Sequence, residues 1–247
     1  MIRKIVNFNK KISRILGKLR LQKGNIYSYY EETVIKHMKS NQTIVDVGGG
    51  KKSFVTEHKK QYENSKVIAV DISDDELAFN DEVDEKIVAD VTKEIPISDA
   101  SVDMIISRSV LEHLVDQDKF FENANRVLRK NGESYFIHIF PSKFSLFAIV
   151  NQLLPKSISN RLLGAIFPES KKTNGFPAYY NKCYYSAMKK MLIENEFEIE
   201  EFECNYYQSA YFGFFFPLYF LSLLWDNFCY IFKIKNLCSY ICIVAKK

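Results

Sequence analysis

Residues 43–50 read TIVDVGGG, and the next apolar run, KVIAVD, ends on Asp71. Apolar residues that stop at Asp46-x-Gly48-x-Gly50 fit a buried parallel strand followed by a tight turn free of side chains. A nucleotide-like ligand can lie against such bare backbone. Asp71, 21 residues after Gly50, would end the following strand, where it is placed to accept hydrogen bonds from a ribose diol.

Two cofactor classes use this layout. A dinucleotide fold wants G-x-G-x-x-G, with the third glycine letting the helix approach the strand. Gly48 and Gly50 fit that spacing, but its third position is Ser53, which weakens the nicotinamide reading. The downstream segments favour the other class. Residues 87–91, IVADV, make a third short strand with Asp90 near its end. Residues 102–114, VDMIISRSVLEHL, make a fourth strand running into Leu-Glu-His. Residues 126–140, RVLRKNGESYFIHIF, give a helix end, a glycine stop at Gly132 and a fifth strand.

In this ordered set the chain resembles the class I S-adenosylmethionine (SAM)-dependent methyltransferases, specifically the type 11 group. The likeness is good over roughly residues 40–140 and looser over 180–247. One departure is Lys52, where the family carries a further glycine. The resemblance implies a Rossmann-like α/β fold. Its seven-stranded sheet is mostly parallel with an antiparallel last strand, has helices on both faces and carries an insertion after strand five. It also implies SAM as cofactor. Asp46, Gly48, Gly49 and Gly50 would shape the methionine and ribose side, and Asp71 would take the ribose hydroxyls. Asp90 would take the adenine amino group, with Ile72 and Val91 beside these acids. Ser107 would border the methionine moiety.

Methyl transfer needs donor and acceptor held at attack distance and, for a hydroxyl acceptor, a base. His113 is the candidate, since an imidazole titrates near neutrality. The alternative is that Glu112 and His113 only orient a helix start. Quinone O-methyltransferases have a similar Leu-Glu-His with a Glu two residues before the Leu. Here that position is Ser109, so no metal is expected. His138 reads as a core or rim histidine of strand five. Tyr179 and Tyr180 either line an acceptor pocket or cover the core.

Composition suits one α/β domain with additions: 247 residues, 47% of them apolar. The net charge of +4 is unevenly placed. Residues 1–24 hold eight basic residues and no acid, leaving 26 basic and 30 acidic residues elsewhere. Such an arm suggests an anionic partner surface. No basic stripe interleaved with aromatics crosses the body, so nucleic acid is not expected. The five cysteines lie in the last third with no C-x-x-C pair, which fits reduced thiols in a cytosolic protein. The basic start lacks the apolar core of a signal peptide.

Four regions follow. Residues 1–40 are N-terminal basic amphipathic helices, and 41–141 are the SAM-binding core. Residues 142–182 are an insertion building the acceptor site, and 183–247 complete the sheet with an apolar helix. In the arm, Ile12, Ile15, Leu16 and Leu19 follow helical spacing. Two readings stay open: a helix lying on an anionic membrane, or one packed over the cofactor site with its basic face in water. The run FGFFFPLYFLSLLW (212–225) is too short to span a bilayer, and the longer apolar stretch is interrupted by Pro217 and Asp226. It is either a buried helix between strands six and seven or a hydrophobic element that dips into a membrane. The expected acceptor is a small molecule or a lipid-linked one. The alternatives to a methyltransferase are a nicotinamide-dependent oxidoreductase and a non-catalytic cofactor-fold module.

Overall fold

The computed structural model describes residues 2–130, 132–153 and 176–247. The apolar segment RLLGAIFP of the expected insertion, and the start of the loop after it, lie outside these residues. The chain divides into two compact units. One comprises residues 25–140, 178–203 and 242–247. The other comprises residues 1–24, 141–177 and 204–241.

The first unit is built on a seven-stranded sheet of order β3-β2-β1-β4-β5-β7-β6. Its strands are β1 (Thr43–Val47), β2 (Lys66–Asp71), β3 (Glu85–Val88), β4 (Met104–Arg108), β5 (Tyr135–Pro141), β6 (Glu198–Asn205) and β7 (Tyr240–Lys246). The first five pair in parallel, with Asp46 opposite Ala69 on one side and Ile106 on the other. β7 runs antiparallel to β5: the Lys247 amide donates to Ser134 O at one end, and the Ser142 amide donates to Ser239 O at the other. The expected topology is therefore present, with β7 beside strand five.

The apolar runs explain the sheet. Ile44, Val45, Ala69, Val70, Ile105, Ile106, Phe136 and Ile137 are fully buried, as strands covered on both faces must be. Helix α1 (Ile2–Leu16) belongs to the second unit and is described below. In the first unit, α2 (Ile26–His37) is capped by Asn25, whose side chain accepts from the Tyr27 amide. The helices α3 (Val55–Lys59) and α4 (Asp74–Ala78) are short. Ser73 caps α4 by accepting from the Glu76 amide. In α5 (Gln117–Val127), Phe120, Phe121, Ala124 and Val127 are fully buried, each Phe against Phe136. Burying each such ring is worth about 1.5–3 kcal/mol. Helix α7 (Tyr185–Glu194) buries Met188, Met191 and Leu192, as its spacing predicts.

Two boundaries differ from expectation. β3 ends at Val88 rather than 91. Asp90 turns back on its own backbone, accepting from the Thr92 amide and hydroxyl, and such an Asx turn takes the chain out of the ladder. Gly132 has φ +69°, the left-handed conformation, but it does not cap α5. That helix already ends at Leu128, which is extended and bridges to Val102. Gly132 instead donates its amide to Lys247 O.

The second unit holds α1, a 3₁₀ turn at Gly17–Leu19, α6 (Leu146–Leu153) and α8 (Phe216–Ile231). Pro217 does not interrupt the apolar run. It sits in the first turn of α8, where its missing N–H costs nothing. Asp226 does not interrupt it either. Its Oδ2 accepts from the amides of Gln208 and Ser209 at 3.0 and 2.9 Å, which lets a carboxylate stay inside the helix packing. Around it, Phe212, Tyr219 and Leu223 form a small core with Leu16, Leu146 and Tyr211. Asn227 staples the end of the arm, accepting from the Leu21 amide and donating to Leu19 O. Cys204, Cys229 and Cys238 in this unit, and Cys183 and Cys242 in the other, are buried thiols outside any disulfide.

Candidate functional site

The site is assembled at the ends of β1, β2 and β4. Gly48 follows β1 with φ +71°, and its amide donates to Val70 O at 2.7 Å. A β-carbon there would stand 2.3 Å from Val110 Cγ2. One added at Gly49 would meet the Ala69 side chain at 2.9 Å. Gly50, at φ +37°, donates its amide to Asp71 Oδ2 at 3.1 Å. The turn is thus bare because neighbours on both sides leave no room for side chains. The segment SRSVLEH reaches it directly: Ser109 takes a left-handed φ of +57°, and Val110 packs on Gly48.

The acids around the turn have separate jobs. Asp46 is buried, and its Oδ2 accepts from Ser53 Oγ. Burial pushes its carboxyl up to about 6. Ser53, which breaks the dinucleotide pattern, is therefore the partner that holds Asp46. Asp71 accepts from Gly50 N with one oxygen and from Ser73 N with the other, at 2.9 Å. Two of a carboxylate's roughly four acceptor positions then remain. Ile72 beside it is well exposed, an apolar surface open to a ligand. The hydroxyl of Thr92 is the main cause that holds the Asp90 carboxyl below its usual range. Val91 is buried, and its carbonyl accepts from Asn123 Nδ2. Asn80, a residue without a sequence signal, donates to Gly49 O at 3.0 Å.

Ser107 is fully buried, and its hydroxyl lies 2.6 Å from Nδ1 of His138, its register partner on β5. Burial drives His138 down to about 3, so the ring is neutral. The Ser107 side chain is thus committed inside the sheet. His113 stands in a 3₁₀ turn, Leu111–His113, with Nε2 3.8 Å from Glu112 Oε1. Glu112, which the sequence offered only as a residue orienting a helix start, is the more deeply placed group. It is buried, its Oε2 has no protein partner, and desolvation pushes its carboxyl up to about 8. Its carbonyl accepts from the amides of Tyr179 and Tyr180 at 2.7 and 3.1 Å. The loop containing these tyrosines is therefore tied to the Leu-Glu-His turn. Among the described residues no group of three His, Cys, Asp or Glu is arranged to hold a metal.

Comparison with known proteins agrees with this geometry. A family model described as a methyltransferase domain matches residues 45–136. Over that stretch the chain is similar to a methyltransferase domain. Two curated relatives, probable S-adenosylmethionine-dependent methyltransferases from two strains of Mycobacterium tuberculosis, are each 49% identical over 39 residues. That match covers 16% of this chain and 14% of each relative. Solved structures are similar to the chain at low identity. Geranyl diphosphate C-methyltransferase from Streptomyces coelicolor A3(2) gives a TM-score of 0.54 at 13% identity, covering 89% of this chain and 75% of that one. An S-adenosylmethionine-dependent methyltransferase from Mesorhizobium loti gives 0.55 at 15%, covering 88% and 98%. Phosphoethanolamine N-methyltransferase 2 from Haemonchus contortus gives 0.55 at 14%, covering 90% and 52%. At these identities the likeness shows the fold.

The cradle fits the nucleoside cofactor of that fold. Gly48 and Gly49 stand where β-carbons would clash, Gly50 holds a positive φ, Asp71 keeps free acceptor positions, and Ile72 offers an open apolar surface.

Proposed function

We propose that this chain is a SAM-dependent methyltransferase acting on a hydroxyl of an amphiphilic acceptor. The acceptor class is a lipid-linked or surface-polysaccharide sugar, or a quinone precursor. The enzyme would work in the cytoplasm, peripherally on the inner face of the membrane. The carrying observation is the turn Gly48–Gly50, kept bare by Val110 and Ala69 and pinned to Asp71.

When bound, SAM supplies an electrophilic methyl group on sulfur. The chain's own residues do the rest. Gly48, Gly49 and Gly50 let backbone approach the methionine and ribose. Asp71 accepts from the ribose hydroxyls, Asp90 from the adenine amino group, and Ile72 and Val91 flank the ring. Ser53 and Asn80 fix the turn from behind, through Asp46 and the Gly49 carbonyl. Ser107 and His138 hold the end of β4 in register against β5. His113 takes the acceptor proton at an imidazole nitrogen. Glu112, neutral at pH 7 by its raised carboxyl, sits behind it without adding a charge. The Tyr179–Tyr180 loop, held by the Glu112 carbonyl, lines the acceptor side.

The test is transfer of a labelled methyl from SAM to a membrane extract, with His113→Ala and Asp71→Ala variants. Label is expected in the organic phase. His113→Ala should lower kcat by about 10²–10⁴-fold with S-adenosylhomocysteine affinity retained. No affinity for SAM or its demethylated product would sink the enzyme reading. Label confined to water-soluble products would sink the amphiphilic acceptor.

A further inference from the structure

In an ordinary surface helix the apolar stripe faces inward and the polar face meets water. Helices α1 and α8, which pack together in the second unit, also carry large apolar side chains on their outer faces. On α1 the buried residues are Asn9 and Ser13. Asn9 Oδ1 accepts from the Phe216 amide, and Ser13 donates its hydroxyl to Gly213 O. Phe8, Ile15 and Leu19 point outward at 61%, 58% and 57% exposure. On α8 the inward face carries Tyr219, Leu223 and Cys229 together with Ser222 and Asp226, yet Leu224, Trp225, Phe228 and Ile231 are exposed on helical spacing.

Charge is distributed to match. Between residues 206 and 232 the only charged side chain is Asp226, and it is buried. On α1 and the 3₁₀ turn after it, Lys11, Arg14 and Lys18 are exposed along one edge of the outward apolar stripe, in an arm of eight basic residues and no acid. Apolar residues flanked by cations match the boundary between acyl chains and anionic headgroups. A second copy of the chain is a poorer match, since a two-fold interface on this face would set two basic arms against each other. Among the described residues no helix is long and apolar enough to cross a membrane, so contact would be from one side.

We infer that the outward faces of α1 and α8 are a docking surface for an anionic lipid bilayer. The apolar side chains enter the acyl boundary, and Lys11, Arg14 and Lys18 pair with headgroup phosphates. The surface gives the proposed amphiphilic acceptor a route to the enzyme, but it does not rest on that reading, because it is tested without methyl transfer.

Trp225 is the only tryptophan of the chain, so its fluorescence reports on this surface alone. The full chain is mixed with vesicles of phosphatidylcholine, with and without phosphatidylglycerol, at low and high salt. Expected are a blue shift, quenching by brominated acyl chains and co-sedimentation with the anionic vesicles, all weakened by salt. Reversing two charges, Lys11→Glu with Lys18→Glu, should lower partitioning at least about tenfold. Phe8→Ser with Leu224→Ser should also lower it, without lowering the melting temperature, since both side chains are exposed. S-adenosylhomocysteine affinity, measured in the same preparations, should be unchanged in both variants.

An intact protein that stays in the supernatant with anionic vesicles at low salt overturns the inference. So does vesicle binding indifferent to both pairs of substitutions. A concentration-dependent dimer in sedimentation equilibrium, abolished by Phe8→Ser with Leu224→Ser, would assign the face to a second copy instead.

Discussion

The Gly50 amide donates to Asp71 Oδ2 at 3.1 Å, so the turn after β1 is held by the residue that ends β2. One carboxylate therefore does two jobs. It fixes the bare turn and, in the proposed function, offers its remaining acceptor positions to the cofactor ribose. A pair of polar groups across neighbouring parallel strands can do this only because the strands stop together, with Val47 opposite Val70.

Asp71→Ala should weaken S-adenosylhomocysteine binding more than Asp90→Ala. It leaves the Gly50 and Ser73 amides without their acceptor and, in the proposed binding mode, both ribose hydroxyls as well. At about 1–3 kcal/mol for a buried group left unpaired, the loss is about 5- to 150-fold in Kd. Asp90→Ala removes an acceptor for a single amino group. Titration calorimetry on the two variants checks the order, and equal affinity in Asp71→Ala and the parent would remove Asp71 from the site.

Gly48→Ala should destabilise the fold for two separable reasons. The backbone holds a left-handed φ of +71°, and the new methyl would stand 2.3 Å from Val110 Cγ2. Left-handed backbone in a non-glycine residue costs about 1–3 kcal/mol, and overpacking about as much again. Adding Val110→Ala removes the clash and leaves the backbone cost. The double variant should therefore be more stable than the sum of the two single effects predicts. Denaturant midpoints for the four proteins give the coupling, and strict additivity would mean that Val110 does not close the turn.

Much of this fold could be read from the residues. Apolar runs located β1, β2, β4 and β5, the first two marked further by Asp46 and Asp71, because strands buried on both faces read as continuous apolar segments. What could not be read were partners brought from far along the chain. Periodicity found the stripe Ile12–Leu19 on α1 but could not give its direction. An inward polar face becomes stable only when Gly213 O and the Phe216 amide, some two hundred residues away, satisfy it. The same holds for Ser107, whose partner His138 appears only with the register of β4 on β5. Pro217 and Asp226 looked like interruptions, because first-turn placement and a backbone-satisfied carboxylate are facts of position, not of residue type. The segment Leu-Glu-His drew attention to its histidine, yet the deeper group is Glu112. Burial gives no local signal in three residues.

Glu112 gives the last prediction, on stability against pH. Its carboxyl titrates at about 8 in the fold, against an ordinary value of 4.5. Between those values the folded chain holds a proton that the unfolded chain has lost, so stability falls as pH rises and levels off above about 8. His138 runs the other way: lowered from 6.5 to about 3, it makes the fold more stable as pH rises to 6.5 and is neutral beyond. Asp46 and Asp226, each raised to about 6 by burial, finish titrating below that point. The interval from pH 6.5 to 8 therefore belongs to Glu112. Across it the parent protein should lose about 1–2 kcal/mol. In a chain of this size that is about 2–8 °C in Tm. Glu112→Gln, which carries no proton to lose, should show a flat profile over the same interval and exceed the parent at pH 8. Melting curves at several pH values compare the two. A parent profile as flat as that of Glu112→Gln would mean that the carboxylate is hydrated and charged at neutrality, and Glu112 would then stand beside His113 as an anion.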